Sequence, residues 1–140
     1  MNDNPSPFIW PIRVYYEDTD SGGVVYHANY LRFMERARTE CLRARGFEQD
    51  RLREEQGVLF TVHSMNVRYR APARFNDRLE VSARISALGR ARLDFYQEIR
   101  RPGESRILCE AEVRVACVDA AHFRPRAIPQ PVKEALGDVG

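Results

Sequence analysis

One segment of this chain, residues 28–44, keeps a helical period over a long span, and most of the rest keeps the period of a strand. Tyr30, Phe33, Met34, Ala37, Cys41 and Ala44 recur at i, i+3, i+4, i+7, i+11 and i+14, and Leu31 and Leu42 widen the stripe. Arg32, Arg36, Arg43 and Arg45 fall mostly on the other side. Asn29 or a neighbour can cap the start, and Gly46 stands where a C′ glycine belongs. An apolar stripe this wide has to be covered, and strands are what the rest of the chain offers.

Residues 11–17 alternate Ile12, Val14 and Tyr16 with Arg13, Tyr15 and Glu17, the pattern of a short strand. After a charged stretch, residues 49–56, read as a short helix or turn, four more alternating runs follow. They are centred on Met65–Val67–Tyr69–Ala71, Leu79–Val81–Ala83–Ile85–Ala87, Leu93–Phe95–Ile99 and residues 107–117. Leu88-Gly89-Arg90 and Arg101-Pro102-Gly103-Glu104 read as turns between neighbours. The order β-α-β-β-β-β predicts an α+β domain in which a five-stranded antiparallel sheet buries one long helix. One helix does not cover such a sheet completely, so association through an edge strand is expected. The core is expected over about residues 10–132, within a single domain spanning residues 1–140, with a flexible N-terminal segment and a flexible tail containing at most a last helical turn near residues 131–136.

Composition narrows the function. The formal net charge of the 140 residues is +2, too mild to argue for nucleic acid. Lys133 is the one lysine, an arginine skew read first as codon usage, with phosphate binding by guanidinium groups as the functional reading. Cys41, Cys109 and Cys117 have no metal-type spacing, and the last two share the parity of Ala111, Val113 and Val115. Reduced, buried thiols predict a cytoplasmic protein. The first residues lack the basic and apolar regions of a signal peptide, and no apolar run approaches the ~18 residues of a membrane span.

The polar segment EDTDSGGVVYHANY, residues 17–30, interrupts this frame between strand and helix. It begins like a calcium loop, but Gly22 stands where Asp or Asn is needed and Asn29 where a bidentate Glu is needed. His27, His63 and His122 lack zinc spacing, so no metal is expected. Gly22-Gly23 matches neither a dinucleotide nor a P-loop glycine pattern, and no G-x-S-x-G elbow is present. A strand, a glycine turn and a helix start remain. Free N–H groups of a first helical turn favour developing negative charge, and glycines let a substrate approach the backbone. A carboxylate just upstream, ordinarily ionised at neutral pH, can attack a carbonyl or activate water. On spacing alone, Asp18, Thr19 and Asp20 can equally be capping residues, His27 a helix-start residue, and Tyr26 and Tyr30 core.

The run D-x-D-x-x-G-V-V-Y-H-x-x-Y, followed by Glu35-Arg36-Ala37-Arg38 on the helix, resembles the hotdog-fold acyl-CoA thioesterases. Within the 4-hydroxybenzoyl-CoA thioesterase superfamily it is similar to the group associated with the Tol-Pal system. The resemblance implies a sheet wrapped around the helix, dimers paired edge to edge and commonly joined as tetramers, and sites at the dimer interface with CoA lying across it. It implies Asp20 as catalytic carboxylate, the backbone N–H at His27 polarising the thioester carbonyl, and the His27 side chain assisting. Gly22, Gly23, Val24 and Tyr26 would line the substrate, and Arg90 or Arg92, at the hairpin after the third strand, would meet CoA phosphates. The Glu35 side chain is expected at the surface. The expected activity is hydrolysis of an acyl-CoA, or acyl-carrier-protein, thioester with no cofactor beyond CoA as part of the substrate. The other class of function is a non-catalytic acyl-thioester or acyl-carrier-protein binding module linked to phospholipid synthesis or the cell envelope.

Overall fold

The helical stripe becomes α1, His27–Ala44, in a computed structural model that describes residues 7–137. Tyr30, Phe33, Met34, Ala37, Cys41 and Leu42 are buried as the periodicity requires, whereas Ala44 at the last turn is exposed. Gly46 follows the Arg45 C-cap with φ +93°, a left-handed turn that glycine adopts without strain. The strands are β1 (Phe8–Arg13), β2 (Val58–Tyr69), β3 (Arg78–Leu88), β4 (Arg92–Arg100) and β5 (Cys109–Asp119). They form one antiparallel sheet in the order β1-β3-β4-β5-β2, and α1 packs on β3 and β1.

Alternation holds best in the middle of the sheet. Leu93, Phe95, Gln97 and Ile99 of β4 are buried, as are Cys109, Ala111, Val113, Val115 and Cys117 of β5. All three cysteines are buried free thiols. Burial pushes the Cys109 thiol up to about 12 and the Cys117 thiol up to about 11. The other sheet face is a mesh of charge. Arg70 donates to Glu110 at 2.7 Å, Tyr96 donates to Glu98 at 2.7 Å, and Arg100 donates to Glu98 at 2.6 Å.

Three sequence expectations are corrected. The first strand is Phe8–Arg13 rather than residues 11–17, with Phe8, Trp10 and Ile12 turned toward the core. Pro11 has no N–H and is tolerated because β1 lies at the sheet edge. Tyr16 does not extend that strand. Residues Tyr16–Asp18 form a single 3-10 turn, closed by the Tyr15 N–H donating to the Asp18 carboxylate at 2.8 Å. The second strand starts at Val58, well before Met65; a register shift between Val62 and Ser64 and an exposed edge break its alternation. The tail, expected to be flexible with at most a last helical turn near residues 131–136, is packed: the turn is present as α3, Gln130–Gly137, whose Val132 and Leu136 are buried against the sheet. The expected flexible N-terminal segment lies, over residues 1–6, outside the described residues. The short helix expected at residues 49–56 is present as α2, Gln49–Gln56.

No helix among the described residues is long and apolar enough to cross a membrane.

Two stability effects are expected. Leu136 is fully buried, so Leu136→Ala should cost about 2–5 kcal/mol, seen as a lower urea midpoint with an unchanged m-value. The Glu110 carboxyl is held below its ordinary range, chiefly by the hydrogen bond from Arg70. That stabilisation is present above the ordinary glutamate value of about 4.3 and lost as pH falls through the depressed folded value. Arg70→Ala should flatten this acid-side loss in a urea series taken across pH.

Candidate active site

The loop between β1 and α1 is a tight hairpin built on its own backbone. Asp20 N–H donates to Val24 O at 2.9 Å, Gly23 N–H to Asp20 O at 3.1 Å, and Tyr26 N–H to Asp18 O at 3.0 Å. Gly23 has φ +79°, a turn position that resists any side chain. Gly22 N–H donates to Asp20 Oδ1 at 2.8 Å and so aims the carboxylate. A Cβ on Gly22 would lie 3.3 Å from that same oxygen. Both glycines therefore shape the place of Asp20 rather than merely loosening the chain.

The loop is fastened on its other side to the connection between β2 and β3. Val25 is buried and donates its N–H to Ala73 O at 2.8 Å, while Ala73 N–H donates to the Tyr30 hydroxyl at 2.9 Å. Phe75 N–H donates to Gly23 O at 3.2 Å. Asn29, buried in the first turn, donates Nδ2 to Asp18 O at 2.9 Å. Asn29 is thus a tether, not the N-cap; the N-cap is Tyr26, whose side chain makes no capping hydrogen bond. Asn29 N–H turns back to Tyr26 O at 2.9 Å. The N–H groups of His27 and Ala28 are then left, among the described residues, without a hydrogen-bond acceptor, at the positive end of an 18-residue helix.

The sequence-predicted residues separate into two groups. Asp20, Gly22, Gly23, Val24, Tyr26 and His27 come together on this loop; Val24 is half-buried and the others are exposed. Asp18 is structural, as its bond to Tyr15 N–H shows, and Glu17 and Glu35 are exposed. Tyr30 is core and Tyr26 is not. Arg90 and Arg92 lie elsewhere. The register pairs Arg13 with Arg78 at the loop end of β3, and Leu88 with Leu93 at the hairpin end. The 11 residues of β3 separate those ends by roughly 35 Å. These arginines cannot reach the Asp20 loop of their own chain.

Two residues were not assigned a role from the sequence: Tyr69, which stands beside the loop, and Arg38, farther along α1. The Tyr69 ring meets the His27 imidazole edge-on at 4.7 Å, and its hydroxyl donates to His27 O at 3.3 Å. Tyr69 ends β2, forty-two residues away in sequence, so no local pattern could pair them. Arg38 is buried on α1 and donates to Gln97 Oε1 at 2.9 Å. A signal for it existed: it falls at i+4 from Met34 and i−4 from Leu42, inside the apolar stripe.

A helix wrapped by a five-stranded sheet, with a carboxylate and a glycine turn at an uncapped helix start, defines a hotdog-type thioesterase site. The Thioesterase-like superfamily model matches residues 14–136, and the chain belongs to that family. It is 50% identical over 129 residues to the acyl-CoA thioester hydrolase YbgC of Escherichia coli O6:H1, covering 92% of this chain and 95% of that protein. It is 47% identical over 129 residues to the acyl-CoA thioesterase YbgC of Haemophilus influenzae, covering 92% of this chain and 93% of that one. A crystal structure of a probable thioesterase from Bartonella henselae superposes with a TM-score of 0.83 at 36% identity, covering 89% of this chain and 100% of that chain.

Gly23→Ala should cost about 1–2 kcal/mol from the left-handed backbone alone, read as a lower thermal midpoint. Gly103→Ala, at φ +78° in the β4–β5 turn, is the control with the same left-handed backbone outside the Asp20 loop.

Proposed function

We propose that this chain is an acyl-CoA thioesterase, hydrolysing an acyl thioester to the free acid and CoA thiol. The carrying observation is the uncapped first turn of α1 beside the Asp20 carboxylate. The thioester carbonyl oxygen accepts from the N–H groups at His27 and Ala28, which stabilise the negative charge that builds there as the carbonyl carbon is attacked. Asp20 either attacks that carbon, forming a mixed anhydride that water then opens, or takes a proton from the attacking water. In both routes the C–S bond breaks with its electron pair on sulfur, and the thiolate picks up a proton. Water supplies the OH of the acid and the H of the thiol. His27 assists, its ring steadied by Tyr69. Gly22, Gly23, Val24 and Tyr26 form the wall along which the thioester lies.

The site is open in one chain, and electrostatic stabilisation of this kind needs water excluded. Strand β2 is a sheet edge with exposed Val62 and Tyr69. Pairing two copies along β2 covers the site and supplies what one chain lacks. An antiparallel two-fold brings the hairpin end of one sheet to the loop end of the other, so Arg90 and Arg92 of one subunit serve the CoA phosphates bound at its partner's loop. Dimers of this kind, joined as tetramers, are the assembly we infer. The carrier is CoA or an acyl-carrier protein. The compartment is the cytoplasm, and the resemblance to the Tol-Pal-associated group supports a role near the cell envelope.

Thiol release from a panel of acyl-CoA and acyl-carrier-protein thioesters tests the activity. Asp20→Asn should lower kcat by at least about 100-fold with little change in stability. Saturable binding without turnover by the wild type would instead identify a binding module. Replacing both Arg90 and Arg92 by Ala should raise KM for acyl-CoA about tenfold or more, while a truncated acyl-pantetheine thioester without the nucleotide phosphates should be hydrolysed as by the wild type.

A further inference from the structure

Arg38 is the anomaly of this molecule. It is 7% exposed, yet it belongs to none of the ion pairs among the described residues. Its one protein partner is neutral: Nη1 donates to Gln97 Oε1 at 2.9 Å. Gln97 is itself fixed, giving Nε2 to Met34 O at 2.9 Å and to Ser82 O at 3.2 Å, so its carbonyl is pinned toward the guanidinium. A guanidinium taken out of water without an anion is costly. Burial lowers the Arg38 pKa, and the charge of Glu35 opposes that shift.

The remaining N–H groups of Arg38 are not sealed into the core, because no buried side-chain nitrogen or oxygen among the described residues lacks a partner. They meet a cavity of about 220 Å³ between α1 and the sheet, lined among others by Glu35, Arg38, Thr39, Phe60, Val62 and Phe95. The wall is mixed, its sheet side apolar and its α1–α2 side carrying Glu35, Thr39 and Gln49, and Arg38 is the buried charge in it. The α1 residues that line the cavity begin at Glu35, and three of them fall on a stripe that runs back to the first turn. Ala28, Leu31, Glu35, Arg38 and Leu42 are spaced i, i+3, i+7, i+10 and i+14, one continuous stripe that starts at a free N–H of the first turn. Ten residues of helix span about 15 Å, and the arginine side chain points back toward the N-terminus and shortens that gap.

Resting on the thioesterase reading above, we propose that this cavity receives the acyl chain and that Arg38 binds a carboxylate at its distal end. The preferred substrates are then the CoA monothioesters of medium-length dicarboxylic acids. The carboxylate gains charge-assisted, planar-matched hydrogen bonds to the guanidinium. Glu35 opposes it weakly, because it is exposed and its charge is screened by solvent.

The test compares initial rates of thiol release by the full chain on adipyl-CoA and suberyl-CoA with those on hexanoyl-CoA, octanoyl-CoA and ω-hydroxyhexanoyl-CoA. The expected kcat/KM is at least about tenfold higher for a dicarboxylic substrate than for its plain counterpart. Arg38→Met should collapse that ratio toward one. If it does not fold, Arg38→Lys, which keeps the charge and loses the planar fork, should reduce the ratio. A ratio near one in the wild type, a preference for the hydroxyl chain alone, or a carboxylate preference that survives Arg38→Met would each overturn the assignment. Failure to hydrolyse these substrates and every acyl-CoA and acyl-carrier-protein thioester of the panel above would overturn the thioesterase reading instead.

Discussion

The first turn of α1 is tethered to the loop before it and to the β2–β3 connection, while its own first N–H groups stay free. Asn29 Nδ2 and Tyr26 N–H both reach Asp18 O, and the Tyr30 hydroxyl and Val25 N–H grip the two sides of Ala73. An ordinary helix start would spend a Ser, Thr or Asp side chain on its own N–H groups. Here Tyr26 stands at the N-cap and makes no capping bond, so tethering is done from the loop and the β2–β3 connection, and the donors at His27 and Ala28 remain available. Rigidity and an unsatisfied dipole end are normally in conflict; this arrangement obtains both.

The same division runs through the sheet. Its inner face is apolar and holds α1, and its outer face is a mesh of arginine and carboxylate that needs no cover. Two polar exceptions in this interior are Gln97 of β4 and Arg38 of α1, bonded to each other between helix and sheet. Polar groups in such a place are conspicuous because each must be satisfied. Gln97 is, through Met34 and Ser82, but Arg38 has acceptor needs that the described chain meets only in part.

Much of this was legible beforehand. The limits of α1, β3 and β4 followed from apolar spacing and from Gly46 and Gly89, whereas α2, which buries only Leu52, was read as a helix or turn from its charge. Strands β1 and β2 were misjudged because both are edges: Pro11 sits in one, a register shift interrupts the other, and exposed Tyr16 imitates one more inward residue. In the tail the helical turn near residues 131–136 was legible, but its packing was not until Val132 and Leu136 were seen against β3. In the site, the local pieces were readable because Asp20, Gly22, Gly23 and His27 fall within eight residues of sequence. Tyr69 was not, since its contact with His27 depends on how β2 ends beside the helix. The placement of Arg90 and Arg92 also needed the register of β3 before their distance from their own loop became apparent.

The central claim is that the thioester carbonyl is polarised by the helix start while Asp20 faces its carbon. A crystal structure with a non-hydrolysable ketone analogue of an acyl-CoA measures this directly. The account predicts the ketone oxygen at about 2.9 Å from the N–H nitrogen of His27 or Ala28, with the Asp20 carboxylate on the carbonyl carbon. A ketone oxygen bonded elsewhere, with those N–H groups still facing solvent, would contradict it.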